Sequence, residues 1–262
     1  MTRGAGVRGA AVFVAALAWL GMTAAQSGSQ SAPLIALSSN GVRAALEVVA
    51  PGCERNTARK VAIEYDTSAS IRRRIAGGED VDIAFVTREV ILELTPGHAD
   101  PGSAVLLGRA GIGLGIRAGA RRFDVGSASA IKQALLEAQS VAYALDGASR
   151  VHIERMFEQL GIAAEMRAKA VLEQGSARAA ARVVAGDAEI LLTLVSEILP
   201  VDGMELLGPL PAEFQSYITF VGFATPRPRD PVAARNFLAC VAAPGNAATF
   251  AAKGIDQTGI ER

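Results

Sequence analysis

The chain has 262 residues, 50% of them hydrophobic and only 5% aromatic, with 26 basic side chains against 26 acidic ones. That is enough apolar material for one large domain or two moderate ones. A net charge of zero gives no global field to draw the chain to nucleic acid. The only histidines, His98 and His152, leave little room for histidine-based catalysis, and no Cys, His or carboxylate cluster has metal-ligand spacing.

At the N-terminus Arg3 and Arg8 precede an apolar block, A-A-V-F-V-A-A-L-A-W-L-G-M, and then T-A-A-Q-S-G-S-Q. A basic start, a short apolar core and a small-residue exit describe a secretory signal peptide over residues 1–25, cut after Thr23-Ala24-Ala25. The apolar block is too short for a comfortable membrane span, so the mature chain is expected to be exported and to begin near Gln26. Export places Cys53 and Cys240 where disulfides persist. Unpaired cysteines are also commonly buried as small apolar residues, and sequence alone does not decide between the two because pairing is geometric.

Along the mature chain, L-I-A-L (34–37) reads as a short buried strand, and Val42, Ala45, Leu46 and Val49 then recur at helical spacing. V-A-I-E-Y (61–65) is a strand, the segment after Ser70 a helix, and V-D-I-A-F-V (81–86) a strand. G-I-G-L-G-I-R (111–117) is strand-like, with small residues on one face. Ile131, Ala134, Leu135 and Ala138 mark a helix behind the cap candidates Ser127 and Ser129, and S-V-A-Y-A (140–144) is a strand. Ile153, Met156, Phe157 and Leu160 mark a helix closed by Gly161. Residues 176–185 form an Ala-rich helix stopped by Gly186, and A-E-I-L-L (188–192) is a buried strand. Y-I-T-F-V-G-F-A (217–224) is a strand, and 231–242 a helix opening on Pro231. Strands alternating with helices predict an α/β fold with mainly parallel sheets.

Few local motifs carry chemistry. Asp146, Ser149 and His152 are spaced like a catalytic trio, but on a helical stretch they line one face, and no G-x-S-x-G elbow surrounds Ser149. With no nucleophile–base pair in view, the chain is expected not to be an enzyme. The G-x-G-x-x-A match at 113–118 falls inside a strand pattern and does not open a helix, so it reads as close packing and not as a dinucleotide turn. What recurs is strand, small polar residues, helix: S-S-N-G before the helix at 42, D-T-S-A-S before the one near 70, D-G-A-S-R before the one at 151, and Q-G-S-A before the one at 177. Such starts present unpaired N–H groups and partial positive charge to anions. The same residues are also routine N-caps.

The order L-I-A-L-S-S-N-G-V-R-A-A-L-E, then D-T-S-A-S-I-R-R-R-I-A-G-G-E-D-V-D-I-A-F-V-T, resembles periplasmic solute-binding proteins of the molybdate-binding type. The later S-E-I-L-P-V-D-G-M-E-L-L-G-P-L-P-A-E-F-Q resembles their proteobacterial branch of ABC-transporter substrate-binding proteins, and the likeness covers 32–262. It implies a two-lobed α/β fold of the type 2 periplasmic-binding-protein kind. Lobe one would hold 32–109 and 198–262, and lobe two 110–197, with the chain crossing near Arg109 and Ser196.

The resemblance further implies a monomer in the periplasm that needs no cofactor or metal, captures a small anion in the cleft and delivers it to an inner-membrane ABC permease. Molybdate itself would be bound as an oxyanion. Carried over position by position, Ser68 matches the second-loop serine and Ser39 the first-loop backbone donor, with Thr67 beside Ser68. Thr87 and Ser176 fall where the oxyanion is met, and Ser149 heads another helix start. Three positions depart: the first-loop serine falls on Gly41, leaving Ser39 or Asn40 to substitute, an aspartate is replaced by Arg88, and the lobe-two tyrosine falls on Leu194. Each unmade bond to a buried oxyanion costs about 1–3 kcal/mol. An organic carboxylate gripped by Arg88, Arg109 or Arg150 is therefore the alternative ligand, and a ligand-sensing subunit the alternative role. Asp66 and Asp146 would repel an anion unless turned to cap their own loops. Both cysteines would fall in lobe one, where a disulfide would tie the terminal segment back.

Overall fold

The computed structural model describes residues 32–94 and 97–258, together with Met1, Thr2, Gly4 and Gly6. Apart from those four residues, the expected signal peptide over 1–25 and its cleavage point lie outside the described residues. Residues from Ala32 onward form one unit.

The first strand, β1 (Leu34–Ser39), is buried along nearly its whole length, as an inner strand covered on both faces must be. A 3-10 turn at Asn40–Val42 leads into α1 (Arg43–Thr57), whose Ala44, Ala45, Leu46, Val49, Ala50 and Cys53 form a buried face. β2 (Val61–Asp66) is followed by α2 (Ser68–Ala76), and β3 (Ile83–Thr87) by α3 (Arg88–Leu94). β4 (Asp100–Arg117) then runs for 18 residues. The next segment comprises α4 (Ala128–Glu137), β5 (Val141–Ala144), α5 (Arg150–Gln159), α6 (Ala163–Lys169), β6 (Ala170–Glu173), α7 (Ser176–Ala185), β7 (Ile190–Leu194) and α8 (Val195–Ile198). β8 (Met204–Pro209), β9 (Tyr217–Ala224), α9 (Pro231–Val241) and α10 (Ala247–Ala252) complete the fold.

The strands lie in the order β2-β1-β3-β9-β4-β7-β5-β6, with β8 also against β4. β1 is parallel to β2 and β3, and β5 is parallel to β6 and β7. Every pairing of β4 and β9 is antiparallel. The expectation of mainly parallel sheets therefore holds for the two wings and fails in the middle, where β4 and β9 link one wing to the other without crossover helices. β4 pairs with β9 from Asp100 to Gly111 and with β7 from Ile112 to Gly115, so one strand serves both sheets. Only its second half was legible as a strand, because the first half opens on D-P-G-S and gains its extended form from β9. The glycines of G-I-G-L-G do serve close packing: a Cβ on Gly115 would meet Met204 at 2.7 Å and Ile198 at 3.0 Å.

Two features pin the first wing. Asp82, with a side chain 1% exposed, accepts hydrogen bonds from the Ile35 N–H at 2.7 Å and from the Arg229 N–H and Nη1 at 2.6 Å. It thereby joins β1 to the segment ahead of α9. Cys53 in α1 and Cys240 in α9 form a disulfide with Cα atoms 5.6 Å apart, which resolves the choice between paired and buried thiols. Because the bond spans 187 residues of sequence, a Cys53→Ser/Cys240→Ser double variant should lose roughly 2–5 kcal/mol of stability, read as a lower denaturant midpoint.

Candidate functional site

The carboxyl ends of the parallel strands in both wings point at one cleft, the usual position for a ligand in open α/β sheets. Ser39 and Asn40 follow β1, Thr67 and Ser68 follow β2, Gly147 and Ala148 follow β5, Ser176 follows β6, and Leu194 and Glu197 end β7 and lie in α8. Phe220 of β9 closes one wall. The cleft has about 320 Å³ with its open mouth included, of which about 20 Å³ can be reached by the centre of a water molecule. In this conformation its inner part is therefore about the size of one bound water.

The hydroxyls differ in what they have left to offer, since each carries one donor and two acceptor sites. Thr67 Oγ1 is the N-cap of α2, accepting from the Ser70 N–H at 3.2 Å, and it donates across the cleft to Asp146 Oδ2 at 3.5 Å. Its donor is spent. Ser68 Oγ accepts from the Thr87 N–H at 3.2 Å and Ser39 Oγ from the Gly41 N–H at 3.4 Å, and each keeps its own O–H to donate. Gly175, the N-cap of α7, makes no side-chain cap bond, so the first-turn N–H groups of α7 face the cleft without a capping side chain, whereas at α5 the Arg150 N–H is taken by the Gly147 carbonyl and the His152 N–H by the Ser149 carbonyl. Asp146 Oδ1 accepts from the Gly175 N–H at 2.9 Å, in a turn where φ is +79° and glycine is favoured.

Of the residues expected to meet a ligand, Ser39, Asn40, Thr67, Ser68, Ser176 and Leu194 come together around the cavity. Gly41, Thr87 and Ser149 stand behind it. Thr87 supports Ser68, Ser149 heads α5 with its side chain buried, and Gly41 is packed against Phe220. A Cβ at position 41 would lie 2.3 Å from Phe220 Cζ. The hydroxyl that the resemblance leads one to expect there is thus displaced by a phenyl ring, and one wall is apolar. The arginines do not line the cavity: Arg109 pairs with Asp256 and lies over the Tyr217 ring, Arg150 binds Glu154 and the Leu145 carbonyl, and Arg88 is exposed at the head of α3. Asp66 is turned to the Thr67 N–H and the Ser70 hydroxyl, as a loop cap would be.

Glu197 escaped the sequence reading. It sits in S-E-I-L, where one acid in a short polar segment looks like any solvated helix residue, and only the fold turns it toward the cleft. It is the one side chain among the cavity-lining residues that carries an acid–base group. Its carboxylate accepts a hydrogen bond from Thr193 Oγ1 at 2.5 Å. Burial pushes its pKa above the ordinary glutamate value of 4.5, against the opposing pull of bonds from the Thr193 and Ser176 hydroxyls and the Leu194 backbone. Among the described residues no cluster of His, Cys or carboxylates could hold a metal ion, and no helix is long and apolar enough to cross a membrane.

Residues 34–256 match the family described as bacterial extracellular solute-binding protein. The chain is 31% identical over 235 residues to aconitate isomerase of a Pseudomonas species, covering 87% of each protein. Its structure is similar to the periplasmic molybdate-binding protein of Azotobacter vinelandii, with a TM-score of 0.72 at 17% identity, covering 85% of this chain and 98% of that one. It is also similar to the sulfate-binding protein of Mycobacterium tuberculosis, with a TM-score of 0.66 at 15% identity, covering 85% and 86%. The expectation that the chain is not an enzyme is overturned, since a relative at 31% identity is one.

Two outcomes follow from this geometry. Gly41→Ser forces a side chain into the Phe220 ring and should cost about 1–3 kcal/mol in thermal melts. Combining it with Phe220→Ala should cost less than the sum of the two single changes. For Glu197, the folded-state pKa lies above the unfolded one, so its stabilising contribution is full below about pH 4.5 and is lost as pH rises through the folded value. Melting the wild type and Glu197→Gln from pH 4 to pH 8, roughly that window, should show the variant gaining on the wild type as pH rises.

Proposed function

Because the chain belongs to the family of bacterial extracellular solute-binding proteins and has the α/β periplasmic-binding-protein fold, we propose that its cleft binds a small unsaturated polycarboxylate of the aconitate kind and interconverts its geometric isomers. The observation that carries this reading is the mixed wall of the cavity. Ser39, Ser68 and the uncapped start of α7 offer donors suited to carboxylate oxygens, while Phe220 and Leu194 present carbon. A compact tetrahedral oxyanion has oxygen on every side, so an oxygen facing the Phe220 ring would go unbonded at about 1–3 kcal/mol. A carboxylate carried on a carbon skeleton can turn its oxygens to the donors and its hydrocarbon to the ring. The kinship to aconitate isomerase favours the same ligand class.

A molecule of that size does not fit the inner cavity as it stands, so entry requires the two wings to part. We treat them as the two lobes, 32–109 with 198–262 and 110–197, and as closing by a hinge motion, with tighter binding to the closed form driving closure. The Thr67–Asp146 bond across the cleft, at 3.5 Å, is long and costs little to open.

A second reading, capture of the same carboxylate in the periplasm and delivery to an ABC permease, is favoured by the solute-binding character of the family. The two are separated by turnover, because a carrier releases its ligand unchanged whereas an isomerase converts many equivalents. Melting of the 32–262 protein should rise with cis-aconitate, trans-aconitate and tricarballylate, and proton NMR of excess aconitate should show the isomers interconverting. Stabilisation by molybdate, tungstate or sulfate, with none by any carboxylate, would overturn the proposal.

A further inference from the structure

We infer that Glu197 is the catalytic base of the site: its carboxylate takes a proton from the methylene beside the substrate's double bond and returns it to the far carbon of that double bond. This rests on the reading of the cleft as an isomerase site.

The chemistry sets the requirement. Rotation about a carbon–carbon double bond is prohibitive while the bond is intact. Removing an allylic proton breaks the C–H bond, leaves its electron pair delocalised over three carbons and the attached carboxylates, and so lowers the bond order at the original double bond. Protonation at the far carbon forms a new C–H bond and fixes the double bond one position along. In a symmetric propene skeleton the product is the same acid with either geometry. One proton leaves to the carboxylate and one returns from the carboxyl, after exchange with solvent in a share of turnovers, so no oxidant, reductant or second acid is called for.

The site meets that requirement with a single group. Among the described residues lining the cavity, Glu197 alone can accept a proton near neutral pH. The other acids close by are committed elsewhere, Asp146 to the Gly175 N–H and Thr67 hydroxyl and Asp66 to the Thr67 N–H and Ser70 hydroxyl. Glu197 is held in place by Thr193, four residues before it. Leu194, an apolar residue buried to 3% exposure, also lines the wall. Burial strengthens it as a base by raising its affinity for the proton, which brings it nearer the operating pH. The O–H groups of Ser39 and Ser68, in the same cavity lining, can bond the substrate carboxylate onto which the charge spreads.

The test follows aconitate by proton NMR in deuterated water with the wild type and Glu197→Gln, reading both isomer interconversion and deuterium uptake at the exchanging carbons. Tricarballylate, which has no double bond, serves as a melting-shift probe of binding. We expect Glu197→Gln to retain the tricarballylate shift and lose at least about a hundredfold of both reactions; a smaller loss overturns the inference while leaving the isomerase reading intact. If the variant does not fold, the wild-type pH profile decides. Turnover must rise as a single carboxyl ionises, and a rate flat between about pH 4 and pH 9 overturns the assignment. A wild type that is neither stabilised by nor active on any carboxylate overturns the reading of the cleft, and Glu197 with it.

Discussion

One strand held in two sheets is the constraint on which the rest of the molecule depends. β4 pairs with β9 along its first part and with β7 along its second, so the parallel wings on either side are tied through one continuous stretch of backbone. Each parallel wing sends its strand ends, and the helix starts that follow them, toward the same space. A cleft therefore forms where the wings face each other.

Within the first wing, the disulfide between α1 and α9 and the buried Asp82–Arg229 pair join segments far apart in sequence. Both lie away from the cleft, so the framework is stiff where the ligand is not. Across the cleft, the Thr67 hydroxyl donates to Asp146.

The chemistry of the cavity turns on two positions. At position 41 a glycine makes room for the Phe220 ring, and a possible hydroxyl contact becomes a hydrocarbon one. At position 197 a carboxyl is kept partly desolvated although burial opposes its ionisation. A group that weakens the fold in its charged state is the kind retained when its proton affinity is useful. Together they give the cavity one aromatic wall and one ionisable side chain among its lining residues.

Much of this was written in local sequence. The strands at 34–37 and 217–224, the helix 176–185 and the polar turns at 38–41, 66–70, 146–150 and 174–177 are fixed by patterning and capping chemistry, which act over a few residues. The expectation that Ser39, Thr67, Ser68 and Ser176 would share one site needed only the recurrence of those turns and a family likeness. Tertiary structure alone decided the rest. β4 became more than twice as long as its pattern because β9 supplied partners for its first part. α3, α6, β6, α8 and β8 are too short for periodicity to mark, and long-range packing holds them. Cys53 and Cys240 were paired by the approach of two helices 187 residues apart. Glu197 became unlike the other acids only when the fold removed water from it. Patterning records which way a side chain faces along its own element, whereas desolvation and pairing depend on what arrives from elsewhere in the chain.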